Sequence, residues 1–181
     1  ILKVIADLGV DGGRYRALEF CGEAIQSLPM PERLTMCNMA IEAGAKNGIV
    51  APDRVTRAYV RGRSLRPARF LDNDRDARFL ETRDYDCRTI EPLVARPHLP
   101  SNIQSVYRIK RTEIDQVVIG SCTHGWYEDL RTAARILAGR RAHRRVRLLV
   151  IPGTHGIHRR ALRSGVIRRL ADAGAVVLPP S

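Results

Sequence analysis

Lysine is nearly missing from this chain: Lys3, Lys46 and Lys110 stand against 28 arginines. Acidic residues are also in deficit, 19 against 31 basic ones, which leaves a formal net charge of +12. Aromatic residues are few, with three Phe, five Tyr and one Trp. That is too few for the base-stacking platforms of a single-strand nucleic-acid binder. Only four cysteines occur (Cys21, Cys37, Cys87 and Cys122), none in a CxxC pair and none at zinc-ligand spacing. This excludes a zinc finger and a disulfide miniprotein; the thiols read as reduced, in an intracellular protein, and mostly as packing groups. No apolar run approaches the roughly 18 residues of a membrane span. The apolar start is broken by Lys3 and Asp7, which is no signal-peptide pattern. Repeats and low-complexity tracts are absent. The chain begins at Ile1 rather than Met and reads as a piece of a longer protein.

What is present suffices for a real core. With 181 residues, 44% of them apolar and 28% charged, the chain suits one sizeable α/β domain or two small ones. Arginine is scattered along nearly the whole length rather than gathered on one element. The exception is Arg140 to Arg147, which reads as a solvated helix end before a buried strand rather than as a phosphate site.

The spacing predicts helices over 1–8, 32–45, 53–62 (capped by Asp53) and 73–82, and a strand over 14–21. In the helix of 32–45, Leu34, Cys37, Met39, Ile41 and Ala45 are the expected apolar positions, with Asn47-Gly48 ending it. Pro92, Pro97 and Pro100 mark a connection. The organisation expected is an α/β domain over 1–95, a connecting segment over 96–112, and a second α/β domain over 113–181. The second domain is the cleanest. Strands at 114–121, 146–151 and 175–178 alternate with helical stretches at 127–139 and 155–172, the pattern of a parallel sheet with helices on both faces.

In such sheets ligands bind beyond the carboxyl ends of the strands. Gly120-Ser121-Cys122-Thr123-His124-Gly125 falls there, after a buried strand and before a helix. A helix start favours a thiolate at Cys122, and a thiolate is what a metal or an electrophile needs. A buried, inert cysteine in a tight turn fits placement alone equally well. His124 could pair with Cys122 as a nucleophilic dyad, although a hydrogen-bonded turn histidine is the commoner case. His155 and His158, after the next strand, read as surface histidines. Asn38 and Glu42 stand four residues apart on one helix face, and by spacing alone they read as a partly exposed helix edge.

Three long stretches carry a resemblance. DGGRYRALEFCGEAIQSLPMPERLTMCNMAIEAGAKNGIVAPD, VVIGSCTHGWYEDLRTAARILAG and VRLLVIPGTHGIHRRALRSGVIRRLADAGAVVLPPS are similar to the aconitase superfamily, in its isopropylmalate dehydratase and homoaconitase branch. The resemblance runs essentially end to end. It implies an aconitase-like three-layer α/β/α fold with a mainly parallel sheet, in two α/β pieces. It also implies a hydro-lyase that isomerises 2- and 3-hydroxy acids by dehydration and rehydration, as in leucine biosynthesis, with homoaconitate or another alkylmalate as the neighbouring substrate choice.

By the same resemblance, Cys122 is one of three thiolate ligands of a [4Fe–4S] cluster, and the other two come from a CxxC expected beyond Ser181. Asn38 and Glu42 become site residues, Asn38 for substrate binding and Glu42 for catalysis, which reverses the reading from spacing. The partner implied is a separate small subunit, a swivelling domain that brings a serine base. A cytoplasmic location follows, with no membrane and no nucleic acid. His124 stands where the family usually has Asn, and Thr154 where many relatives have Ser. With one cluster ligand of three, these 181 residues alone are expected to be inactive. Two readings of other classes stand beside this one: a basic nucleic-acid-binding domain resting on the +12 charge, and a cysteine-nucleophile enzyme built on Cys122 and His124.

Overall fold

The computed structural model describes residues 1–180. They form two compact units, the first running from Ile1 to Lys110 and the second from Arg111 onward.

In the first unit, helix α1 (Leu2–Leu8) buries Ile5 completely. Strand β1 (Ala17–Phe20) pairs in parallel with β2 (Asn47–Val50), in register from Ala17 with Asn47 to Phe20 with Val50. Between them lie α2 (Glu23–Ser27), α3 (Met30–Asn38) and a 3-10 turn over Met39–Ala43. Phe20, Ala40 and Ala45 form the buried centre, with Ile1, Val4, Leu18, Ile25, Met36 and Val50 against it. Helix α4 (Arg54–Val60) follows, and Asp53 caps it by accepting the Val55 and Thr56 N–H groups at 2.9 and 3.0 Å.

The helix expected over 32–45 is therefore two pieces. Gly44 adopts a left-handed φ of 79° and ends the helical run, so Asn47-Gly48 opens a strand instead of closing a helix. Ile41, expected inside, is 63% exposed, and Arg33 is buried in its stead. The Arg33 guanidinium donates to the carbonyls of Gln26 (2.7 Å) and Leu28 (2.9 Å) and to Asp53 Oδ2 (2.8 Å). One arginine thus fixes the start of α3 to the start of α4. The helix expected over 73–82 is absent. That stretch is irregular and exposed, because its charges leave no apolar stripe to bury; Asn73 instead donates to both oxygens of Glu19. Residues 93–105 carry a short antiparallel pair, β3 (Leu93–Ala95) with β4 (Ile103–Ser105).

The Arg33 guanidinium beside Asp53, with the two capping N–H groups, holds the Asp53 carboxyl well below its ordinary value of 3.8. A depressed folded pKa stabilises the fold above the unfolded value, and that contribution drains away as the pH falls below it. Asp53→Asn keeps the cap and loses the charge. We expect the variant to unfold at lower urea than the parent at pH 7, by about 1–3 kcal/mol, with the gap narrowing as the pH falls below the ordinary value of 3.8. Urea titrations at several pH values check this; a gap as wide at pH 2.5 as at pH 7 contradicts it.

In the second unit, β5 (Gln116–Gly120), β6 (Arg147–Ile151) and β7 (Ala175–Val177) form a parallel sheet in the order β5-β6-β7. The connections are a one-turn helix α5 (Ser121–His124), then α6 (Tyr127–Ile136), α7 (His155–Arg163) and α8 (Val166–Asp172), the last two separated at Gly165 with φ 72°. The α/β expectation with mainly parallel pairing is met, but the helices expected on both faces of this sheet lie on one, because the strand order advances in a single direction. Val150 meets Leu130, Ala134, Ala161, Val166 and Leu170 in the core, all 1% exposed or less. Right-handed crossovers advancing in one direction place their helices on one side of a sheet. The side chains obey this: Val117, Ile119, Leu148, Val150, Ala175 and Val177 turn toward the helices. The alternate row, in which Leu149 pairs with Val118 and Val176, turns the other way, and there Val118 is 50% and Val176 53% exposed.

Candidate functional site

The backbone around Cys122 is shaped by close approach. Gly120 has φ 112°, and a Cβ built on it would sit 2.0 Å from the Ile151 carbonyl oxygen. Ser121 carries φ 74°, a left-handed conformation that side chains rarely adopt. This pair of residues turns the chain sharply off the end of β5. Gly125 then lies against Gly153, whose N–H donates to the Gly125 carbonyl at 2.9 Å; a Cβ on Gly125 would meet Gly153 N at 2.4 Å. The loop after β5 and the loop after β6 therefore pack backbone to backbone at the carboxyl edge of the sheet.

Cys122 emerges from this turn exposed to solvent. Its sulfur is flanked at 3.8 Å by the Ser121 and Thr123 hydroxyls. Hydrogen bonding from Thr123 first, then Ser121, draws the thiol below its ordinary value of 9.0. The cysteine is therefore accessible, not buried in the turn as the inert alternative had it. Cys37 is the contrast, half-buried on α3, where desolvation pushes its thiol up. Iodoacetamide at pH 7 is accordingly expected to label Cys122 well before Cys37, as read by peptide mass spectrometry. Earlier labelling of Cys37 contradicts the assignment.

His124 Nδ1 lies 3.3 Å from Asp129 Oδ2, and that same oxygen accepts the Trp126 N–H at 3.0 Å. Asp129 thus fixes both the imidazole and the first turn of α6. Sequence reading missed this partner, although an acidic residue in the first turn of a helix was visible. Thr154 caps α7 by accepting the Ile157 N–H at 3.2 Å; His155 is exposed and His158 half-buried.

In the first unit, Asn38 closes α3 and Glu42 sits in the 3-10 turn that continues it. Both are exposed. The buried Arg33 anchors the other end of α3, so Asn38 projects from a helix with a fixed start.

Aconitase-type chemistry needs soft ligands for iron. Among the described residues no three metal-binding side chains stand together. Cys122, exposed and with its thiol drawn down, has the chemistry of one such soft ligand.

Taken by its fold and site, this is an α/β protein with an exposed cysteine, its thiol drawn below the ordinary value, at the carboxyl edge of a parallel sheet. The chain belongs to the aconitase family: the model described as "Aconitase family (aconitate hydratase)" matches residues 1–108 and 102–181. Enzymes of this family are lyases that carry a [4Fe–4S] cluster. The chain is 52% identical over 181 residues to the 3-isopropylmalate dehydratase large subunit of Thermodesulfovibrio yellowstonii, covering 100% of this chain and 43% of that protein. It is 54% identical to the same subunit of Moorella thermoacetica, with the same coverage. To the probable methanogen homoaconitase large subunit of Methanothermobacter thermautotrophicus it is 44% identical over 180 residues, 99% of this chain and 42% of that one. The chain thus spans less than half the length of these relatives. Among the described residues no helix is long and apolar enough to cross a membrane.

Proposed function

We propose that this chain is part of the large subunit of a hydro-lyase of the 3-isopropylmalate dehydratase type, which interconverts 2- and 3-isopropylmalate through dehydration and rehydration. The observation that carries this reading is the exposed, thiolate-biased Cys122 at the sheet edge, in a chain about half identical to relatives of that name. When bound, a [4Fe–4S] cluster supplies a Lewis-acidic iron. Cys122 would hold it through one thiolate.

The other roles fall to groups of this chain and of a partner. The Asn38 carboxamide both donates and accepts, so it can orient a hydroxy acid by its hydroxyl and carboxylate. The Glu42 carboxylate accepts a hydrogen bond from the hydroxyl that leaves and from the water that returns. We assign the base that takes the carbon-bound proton to a small subunit rather than to a residue of this chain. The arginine content attracts anionic substrates. The cytoplasm is the location that suits such a biosynthetic enzyme. Homoaconitate is the alternative substrate, favoured by the homoaconitase-named relative.

The test is turnover. The chain extended to the length of its relatives, loaded with iron and sulfide without oxygen and mixed with its small subunit, is expected to interconvert the two isopropylmalates. Turnover of homoaconitate alone would select the second substrate. An iron-replete complex that turns over neither would overturn the reading.

A further inference from the structure

The second unit carries a concentration of charge that a general attraction for anionic substrates leaves without a specific role. From Arg111 onward there are 13 arginines, no lysine and five carboxylates. Three of these arginines meet in one place. An open groove of about 550 Å³, lined by Tyr127, Gly156, Arg159, Arg160, Arg163 and Ser164, runs between the start of α6 and α7.

The three arginines are not equivalent. Arg160 is held in place: its guanidinium lies 3.7 Å from the centre of the Tyr127 ring and 3.4 Å from Glu128 Oε1. Arg159 and Arg163 stand four residues apart on α7, hence on one face. Among the described residues, neither guanidinium makes a hydrogen bond or has a carboxylate within ion-pair distance. The remaining acids are engaged elsewhere or distant in the chain: Asp129 contacts His124, and Asp172 lies 3.9 Å from Arg168. Complementing the helix dipole accounts for Arg160 and Arg163, which sit in the last turn of α7. It does not account for Arg159, nor for a groove between the helices.

Like charges at this spacing repel. A molecule that carries two or more negative groups relieves the repulsion, and guanidinium forks match carboxylate and phosphate oxygens in pairs. We propose that this groove binds a small multivalent oxyanion, of polycarboxylate or phosphate class. Arg159 and Arg163 grip it, and Arg160, lying over the Tyr127 ring, forms one wall. The inference stands independently of the dehydratase reading.

Calorimetric titration of the full chain tests it, with citrate and pyrophosphate as separate probes at low salt. Saturable one-to-one binding of either is expected, and the tighter probe identifies the class. In the double variant Arg159→Gln/Arg163→Gln the affinity should fall by tenfold or more, since each lost charge-assisted bond is worth about a factor of ten. The control Arg144→Gln/Arg145→Gln removes the same charge from the exposed loop before β6 and should bind as the parent does. Circular dichroism confirms that both variants are folded. No saturation by either probe, or an equal loss in the control, overturns the proposal.

Discussion

Replacing Cys122 by serine is expected to empty the full-length chain of bound iron. Purified without oxygen, the parent should carry about four irons, the content of one cubane cluster, and the variant close to none. The chemistry of the substituent decides this. A serine hydroxyl stays protonated at neutral pH and is a hard donor, whereas iron–sulfur sites are built from soft thiolates. Misfolding does not supply a competing explanation. The Cys122 side chain is exposed, so the change should alter stability by no more than about 0.5 kcal/mol. Unfolding curves of the two proteins without iron should therefore superimpose while iron content and visible absorbance collapse in the variant. Retention of the parent's iron by the variant would sink the ligand assignment of Cys122.

The second large effect is expected at Gly120. Alanine there must adopt φ 112° and place its Cβ 2.0 Å from the Ile151 carbonyl oxygen. The obstacle is backbone of the paired strand, so relief requires β5 and β6 to part at the register Gly120–Ile151. We expect a loss of roughly 4 kcal/mol or more, in the range reserved for severe core disruption. Against a total of about 5–15 kcal/mol for a domain, that removes a large share of the second unit's stability and lowers its melting temperature sharply. Gly139 separates the two contributions. Its φ is 69°, yet a Cβ there meets nothing within 4 Å, so Gly139→Ala should cost only the left-handed penalty of about 1–2 kcal/mol. Thermal unfolding of both variants checks the ranking. Equal losses would show that crowding against Ile151 contributes nothing.

Much of the second unit was legible because its elements have strong periods. Val117-Val118-Ile119 and Leu148-Leu149-Val150 read as strands, and Leu130, Ala133, Ala134 and Leu137 as one helix face. Cys122 could therefore be placed at a strand end before any coordinates. The first unit was harder for specific reasons. Arg33 is polar by sequence and buried by structure, because three acceptors converge on it from Gln26, Leu28 and Asp53. Gly44, not Gly48, takes the left-handed conformation, and no local rule separated two glycines four residues apart. Strands of three residues, such as Leu93–Ala95, are too short to show a period. Asn38 and Glu42 are exposed, and nothing in their spacing distinguishes them from ordinary surface; only the family resemblance singled them out.

The one-sided placement of the helices on the β5-β6-β7 sheet has a thermodynamic consequence. The row through Val118, Leu149 and Val176 contributes less to the fold than its composition suggests, since half of Val118 and Val176 remains in water. Its transfer free energy, about 25 cal/mol for each Å² still exposed, is held in reserve. Any surface that covers the row draws on that reserve and, by mass action, raises the unfolding temperature of the unit beneath it. The stability of the second unit is thus a function of its surroundings rather than a constant of its sequence.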